Sequence, residues 1–300
     1  MEEKKEKADL IEEKFIFYYV PNNDSVSIND PVVFYELVNS LPADKKFNIH
    51  LIIHTLGGNP YAAAKIVNIL QQRFEKLTIV VPYWAMSAGT LIALGGDKIV
   101  MSGMSQLGPL DMQVEHPVSE KRMSAYDYIN NVSYIVGLVD TTKAKFFKKA
   151  REESNNAINS CEAMKIAFDS SVKLFEPIVK QLDPVELSRC SRILEVAQRY
   201  GKDFLLKHSL RKDYRKSEYA DVLIGYFTNG FPNHSYGINY EELGGFGINI
   251  ENDKEYEYWK EIWDVASPFI LDDLQGGVTQ KQITFLNLKE KGKNELSNIA

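Results

Sequence analysis

Asn48-Ile49-His50-Leu51-Ile52-Ile53-His54-Thr55, continued by Leu56-Gly57-Gly58-Asn59-Pro60, decides how this chain is read. The first eight residues are β-branched and apolar on both faces, the pattern of a strand buried within a parallel sheet. Two glycines then turn the chain, Asn59 offers a helix N-cap and Pro60 a first-turn residue. From Tyr61 to Leu70 the pattern is helical, with Ala63, Ile66, Val67, Leu70 and Phe74 on one face. Leu77 to Val81 reads as a second buried strand leading through Pro82-Tyr83-Trp84 into Ala85-Met86-Ser87-Ala88-Gly89-Thr90. A helix is expected from Ser87 to Leu94, stopped by Gly95-Gly96, and a third strand over Lys98 to Met101. Strand, helix, strand, helix, strand at this spacing implies right-handed parallel crossovers in an α/β fold of stacked βαβ units. Both turns then lie at the same edge of the sheet, where such architectures bind ligands.

A serine flanked by small residues at one turn and two glycines at the other supply what acyl transfer needs: a hydroxyl nucleophile and backbone N–H groups converging on one carbonyl oxygen. The competing reading is structural, since serine commonly caps helices and glycine commonly turns chains.

Three motifs together resemble the serine dehydrogenase proteinase family of the Clp/crotonase superfamily, related to signal-peptide peptidases and Clp protease subunits: His54-Thr55-Leu56-Gly57-Gly58, Ala85-Met86-Ser87-Ala88-Gly89-Thr90 and Leu107-Gly108-Pro109-Leu110-Asp111. Fainter similarity runs back through Phe15 to Pro42 and resumes in Phe227-Thr228-Asn229-Gly230-Phe231-Pro232-Asn233-His234-Ser235-Tyr236-Gly237-Ile238, whereas Val118 to Tyr219 matches much less well. Leu56 stands where the family usually has proline, and Ala88 where glycine is frequent; neither change removes an amide donor. The resemblance implies a Clp/crotonase-like fold with a helical insertion. It implies a serine peptidase in which Ser87 is the nucleophile and the amides of Gly58 and Ala88 form the oxyanion hole; Gly57, Asn59 and Met86 are expected to contact substrate.

The group that activates Ser87 is harder to read. Clp protease subunits place a histidine shortly after the third core strand, but Gly108-Pro109-Leu110-Asp111 occupies that neighbourhood here. Signal-peptide peptidases use a lysine from a later segment, for which Lys121, Lys143 and Lys145 are candidates. A lysine must be desolvated to act as a base, and the surroundings of Lys143 are rich in charge. His234 needs little adjustment and is ranked slightly above Lys143, with Asp111 as the orienting carboxylate.

His50 and His54 share a strand face, yet no cysteine or carboxylate accompanies them at a recognised ligand spacing, so burial with a satisfied hydrogen bond is expected and no metal or other cofactor. His116 and His208 lack a partner in sequence. The chain has 300 residues, 44% hydrophobic, with a formal net charge of −6 that argues against a broad nucleic-acid footprint. Cys161 and Cys190 do not suggest a disulfide framework. Met1-Glu2-Glu3-Lys4-Lys5-Glu6-Lys7 lacks the apolar core of a secretion signal, and no apolar run is long enough to span a bilayer; a soluble, cytoplasmic protein is expected.

The expected organisation is a charged arm over residues 1–14, a Clp/crotonase-like domain over 15–270 with a helical insertion at about 118–215, and a divergent tail over 271–300. Val172 to Ala197 should be helices broken near Asp183-Pro184, and Glu251 to Trp263 should present a packing stripe of Tyr256, Trp259, Ile262 and Trp263. The expected partners are a peptide or protein substrate and further copies of the chain, since superfamily members form trimers, hexamers and larger rings; an unfoldase partner is left open. Two alternatives stand beside the peptidase: a non-catalytic oligomeric scaffold or peptide-binding module, and a crotonase-like pocket that handles an acyl thioester, in which Ser87 would have no task.

Overall fold

The computed structural model describes residues 11–115, 122–231, 235–277 and 280–288. They form a mixed α/β fold around a six-stranded, mostly parallel sheet. β1 (Glu12–Tyr19), α1 (Asp30–Asn39), β2 (Phe47–His54), α2 (Pro60–Arg73) and β3 (Lys76–Val81) build the first crossovers. The short β4 (Trp84–Ala85) and α3 (Ala88–Leu94) lead to β5 (Lys98–Met101), and β6 (Gln106–Leu107) pairs with β4. Asn59 caps α2, its side-chain oxygen accepting from the Tyr61 and Ala62 amides, with Pro60 in the first turn.

β1, β2, β3 and β5 lie side by side and parallel, as the crossover spacing requires. Two later strands complete the sheet. β9 (Ile250–Asn252) adds parallel to β5, and β10 (Gln282–Leu286), from the segment read as a divergent tail, adds antiparallel to β1.

Between β6 and β9 the chain runs through β7 (Gln113–Glu115), β8 (Arg122–Ser124), α4 (Ala125–Glu153), α5 (Ser160–Val179), α6 (Pro184–Phe204), a π-helical turn at Leu205–Ser209, α7 (Ser217–Asn229) and α8 (Tyr240–Gly245). The chain divides into two compact units, residues 113–194 and the remainder. In the first of these, β7 and β8 form an antiparallel hairpin, and α4 and α5 pack together, α5 burying Ala163, Ala167 and Ser171. The break near Asp183-Pro184 is real: Asp183 Oδ1 accepts from the Val185 amide at 2.8 Å where α6 begins. No helix among the described residues is long and apolar enough to cross a membrane.

The main unit draws its stability from both faces of the sheet. Phe15, Phe17, Tyr19, Ile52, Val80 and Val100 on one face pack with Ile262, Val265, Ala266 and Ile270 of α9 (Trp259–Leu274). On the other, Tyr18 meets Phe34 of α1 edge-on at 5.1 Å and donates to Asp30 at 2.6 Å. Asp30 also accepts from the Ser27 amide and hydroxyl and faces Lys281, so this buried carboxylate is well satisfied. Burial on both faces is why β1, β2 and β3 read as nearly continuous apolar runs.

Ile52→Ala should lower the unfolding free energy by about 2–5 kcal/mol in denaturant titrations, because Ile52 is fully buried beneath α9. Val222→Ala, at a residue 71% exposed, should stay within about 0.5 kcal/mol.

Candidate active site

The two signature turns meet at the carboxyl edge of the sheet. The Thr55 amide donates to Trp84 O at 2.9 Å and Thr55 O accepts from the Met86 amide at 3.0 Å, a parallel bridge that lays the turn after β2 against the turn before α3. The Thr55 hydroxyl accepts from the Gly57 amide at 3.0 Å. Val26 grips the same turn from outside: its amide donates to Gly57 O and its carbonyl accepts from the Asn59 amide, both at 2.8 Å.

The glycines here are required by close approach. Gly57 has φ +111°, and a Cβ on it would lie 2.8 Å from Ser87 Cβ and 3.2 Å from Ser87 Oγ. Gly58 has φ +146°, and a Cβ on it would strike the Val26 backbone at 2.4 Å. The Gly57 α-carbon is therefore packed directly on Ser87.

Ser87 is 3% exposed and holds φ 52°, ψ −111°, a conformation that non-glycine residues rarely adopt. It occupies the N-cap position of α3 without a side-chain capping hydrogen bond, so capping does not explain it. Its one side-chain hydrogen-bond contact among the described residues is from Oγ to the Met112 thioether at 3.5 Å, a weak acceptor. The amides of Gly58 and Ala88 donate to no other group among the described residues. A hydroxyl and two uncommitted N–H groups from adjoining turns are the elements an acyl-transfer site needs.

Thr90, fully buried, fastens this turn to the third motif. Its hydroxyl bridges Ala85 O and Gly108 O, both at 2.8 Å, and lies 3.0 Å from the Gly108 amide. Gly108 in turn packs on Met86, and Leu107 exchanges two backbone hydrogen bonds with Ile238 at 3.0 and 2.7 Å. Neither Thr90, Met112 nor Val26 stood out as a functional residue in sequence. Thr90 belongs to the quoted motif, but nothing marked Val26 or Met112, whose roles arise from tertiary contact.

The other expected site residues are placed as follows. Met86 is buried beside Ser87, while the Asn59 side-chain oxygen is committed to capping α2. Asp111 is buried, one residue before Met112, and makes no hydrogen bond to Ser87. Lys143 lies on α4 with its ammonium 2.6 Å from Asp140 Oδ1. His234 lies outside the described residues, as do Lys121 and His116.

The two strand histidines diverge. His50 behaves as expected, with Nε2 2.6 Å from Glu13 Oε2 and Nδ1 2.5 Å from the Tyr256 hydroxyl. His54 does not: its Nδ1 is buried without a hydrogen-bond partner among the described residues, the ring being held by stacking on Tyr19 at 4.9 Å and against Tyr83 and Trp84 at 6.1 Å. Burial lowers the His54 pKa from 6.5 to about 4. His208, without a partner in sequence, meets Asp97 at 3.3 Å. Among the described residues no group of three or more His, Cys, Asp or Glu side chains could hold a metal ion.

Residues 9–133 match the family model described as ClpP-like SDH-type serine proteinase, which bears out the motif resemblance over that stretch. Two proteins of Methanocaldococcus jannaschii, both named as uncharacterized, are similar. One is 38% identical over 103 residues, 34% of this chain and 35% of the relative; the other is 33% identical over 115 residues, 38% and 39% respectively. The chain thus spans less than two fifths of the length of these relatives. Among solved structures, the 1510-N membrane-bound stomatin-specific protease in complex with a substrate peptide is 15% identical with a TM-score of 0.44, covering 81% of this chain and 75% of that chain. A second structure of that protease is 20% identical with a TM-score of 0.33, covering 52% and 69%.

Two outcomes follow from this geometry. Thr90→Val should cost about 1–3 kcal/mol of stability, since it removes the buried hydroxyl that serves Ala85 O and both backbone groups of Gly108; chemical denaturation measures it. Because His54 binds its proton less readily folded than unfolded, its contribution is complete above about pH 6.5 and is lost as pH falls through about 4. That difference corresponds to about 3 kcal/mol. His54→Phe should flatten the stability profile across this window, leaving the slope of the same sign that burial of His50 adds.

Proposed function

We propose that this chain is a serine peptidase. Ser87 Oγ attacks the scissile carbonyl carbon, forming an O–C bond while the C=O electrons move onto the oxygen, and the amides of Gly58 and Ala88 hold that oxyanion. The proton leaves Oγ for a base, which returns it to the departing amine. Water then hydrolyses the acyl-enzyme by the same path reversed.

The observation that carries this reading is the packing of Gly57 directly on a buried Ser87 whose backbone is held at positive φ. Strain of this kind, about 1–3 kcal/mol, persists only where the surroundings enforce it, and it clusters at functional sites. The match of residues 9–133 to a serine proteinase family points the same way.

His234 is assigned as the base. It belongs to the same family-like sequence segment as Ile238, which pairs with Leu107 next to Gly108 and Met86. Lys143 is instead engaged with Asp140 in a half-exposed ion pair on its own helix. Asp111, buried beside the residue that touches Ser87, is the carboxylate assigned to orient the histidine. The substrate is a peptide or protein segment that presents its backbone along the carboxyl edge of the sheet.

A fluorophosphonate probe should label the intact chain and not Ser87→Ala. His234→Ala should slow labelling by about 100-fold or more, whereas Lys143→Ala should leave it near the parent rate. Labelling that survives Ser87→Ala removes the peptidase reading, and the opposite ranking of the two base variants transfers the proton role to the lysine.

A further inference from the structure

A cavity opens at the same edge of the sheet, beyond the strands that follow Ser87. It has a volume of about 220 Å³ and is lined by Ser102, Gly103, Met104, Asp253, Trp259 and Trp263. Ser102 to Met104 follow β5, and Asp253 follows β9, its amide donating to Met101 O at 3.0 Å. The indoles of Trp259 and Trp263, one helical turn apart at the start of α9, lie nearly parallel with centroids 6.5 Å apart and planes 11° apart. No backbone or side-chain atom within 4 Å would meet a Cβ placed on Gly103, so the mouth is open.

The lining has a definite chemical preference. The Asp253 carboxylate makes no hydrogen bond or ion pair among the described residues, although Lys254 adjoins it in sequence. The Ser102 hydroxyl is already committed to Ser105 and the Met104 amide. Among the described residues the cavity lining therefore includes one carboxylate without a hydrogen bond or ion pair, two indole side chains and a thioether. Indole faces attract cations, and a carboxylate pairs with them. An anion would meet Asp253 unfavourably, and a neutral apolar side chain would desolvate that carboxylate without pairing it. Arginine suits the lining better than lysine, because its planar guanidinium can stack on an indole while forking toward a carboxylate.

We propose that this cavity is the subsite for a basic side chain, arginine above all, of the peptide that Ser87 acts on; the assignment rests on the peptidase reading above. Strand order supports the connection. β3, which leads to Ser87, is next to β5, and β5 is next to β9, so the cavity stands one to two strands away along the edge. At about 4.8 Å per strand that is roughly 5–10 Å, the span of two or three residues of an extended peptide. A peptide whose scissile carbonyl sits at Ser87 thus reaches the cavity with a side chain a few residues along.

The test uses full-length Ser87→Ala, so that bound peptide is not turned over, and two extended peptides identical except for one arginine replaced by citrulline, its neutral isostere. Binding is followed by tryptophan fluorescence, with Trp84 as common background. The arginine peptide should bind at least about five-fold more tightly, and adding Asp253→Asn should bring the two affinities together. Equal affinities in the Ser87→Ala chain, binding of neither peptide, or a preference that survives Asp253→Asn overturns the assignment. Fluorophosphonate labelling of the unmutated chain, read in parallel, separates the two claims. Absence of labelling with an intact arginine preference removes the peptidase reading and leaves a cation-binding cavity, whereas labelling without any preference removes the cavity's role.

Discussion

The bridge between Thr55 and the residues flanking Ala85 is the contact on which the candidate site depends. Two backbone hydrogen bonds place the glycine turn and the serine turn side by side, although 28 residues, a whole crossover helix among them, separate Gly58 from Ser87. Thr55 then tolerates no bulk around it. A Cβ on Gly89 would lie 2.5 Å from its methyl group, and the Gly57 amide closes onto its hydroxyl. The small residues of both motifs are the consequence of bringing two main chains this close. Their lack of side chains is what lets Ser87 take its unusual backbone conformation against Gly57, and the Thr90 hydroxyl and the Gly89 amide, which donates to Met86 O at 2.7 Å, keep it there.

The core of the fold was legible because it is local. Expected strands at 48–55, 77–81 and 98–101 appear as Phe47–His54, Lys76–Val81 and Lys98–Met101, and the helix after Asn59-Pro60 begins where its cap and proline place it. Each rests on periodicity or turn chemistry within a dozen residues. The margins of the sheet were not legible in the same way. β9 is three residues long, too short to show a period, and β10 comes from the far end of the chain to pair with β1, a partner that its own alternation cannot name. Val26, which pins Gly58 from 32 residues upstream, gives no sequence signal for the same reason.

The paired histidines show where this limit falls within one strand. Period-two alternation correctly gives His50 and His54 the same face. It says nothing of what covers that face at each level. Near the amino end of β2, Glu13 and Tyr256 occupy both ring nitrogens of His50. Four residues on, the neighbours are Tyr19, Tyr83 and Trp84, whose rings stack on His54, and among the described residues its Nδ1 has no hydrogen-bond partner. A charged imidazole is costly in that stack, so His54 serves as an aromatic slab that carries the chain into the glycine turn, and its polarity is a burden tolerated for shape.

Serine at a helix start has two ordinary explanations, capping and catalysis, and the backbone separates them. A capping serine has extended φ and ψ, with its oxygen turned back onto the second or third amide of the helix. Ser124 does this at α4, accepting from the Asp127 amide at 2.7 Å with φ −66° and ψ 128°. Ser87 does neither; it stands at positive φ with Oγ directed away from its own helix toward Met112. Within one chain, then, the same residue type at the same helical position adopts two conformations. The one that costs strain is the one set between motifs matching a serine proteinase family, on the edge where the parallel strands end. Stability alone would favour the extended cap, so the strained form calls for a role outside folding, and the nucleophile role proposed for Ser87 is one that would supply it.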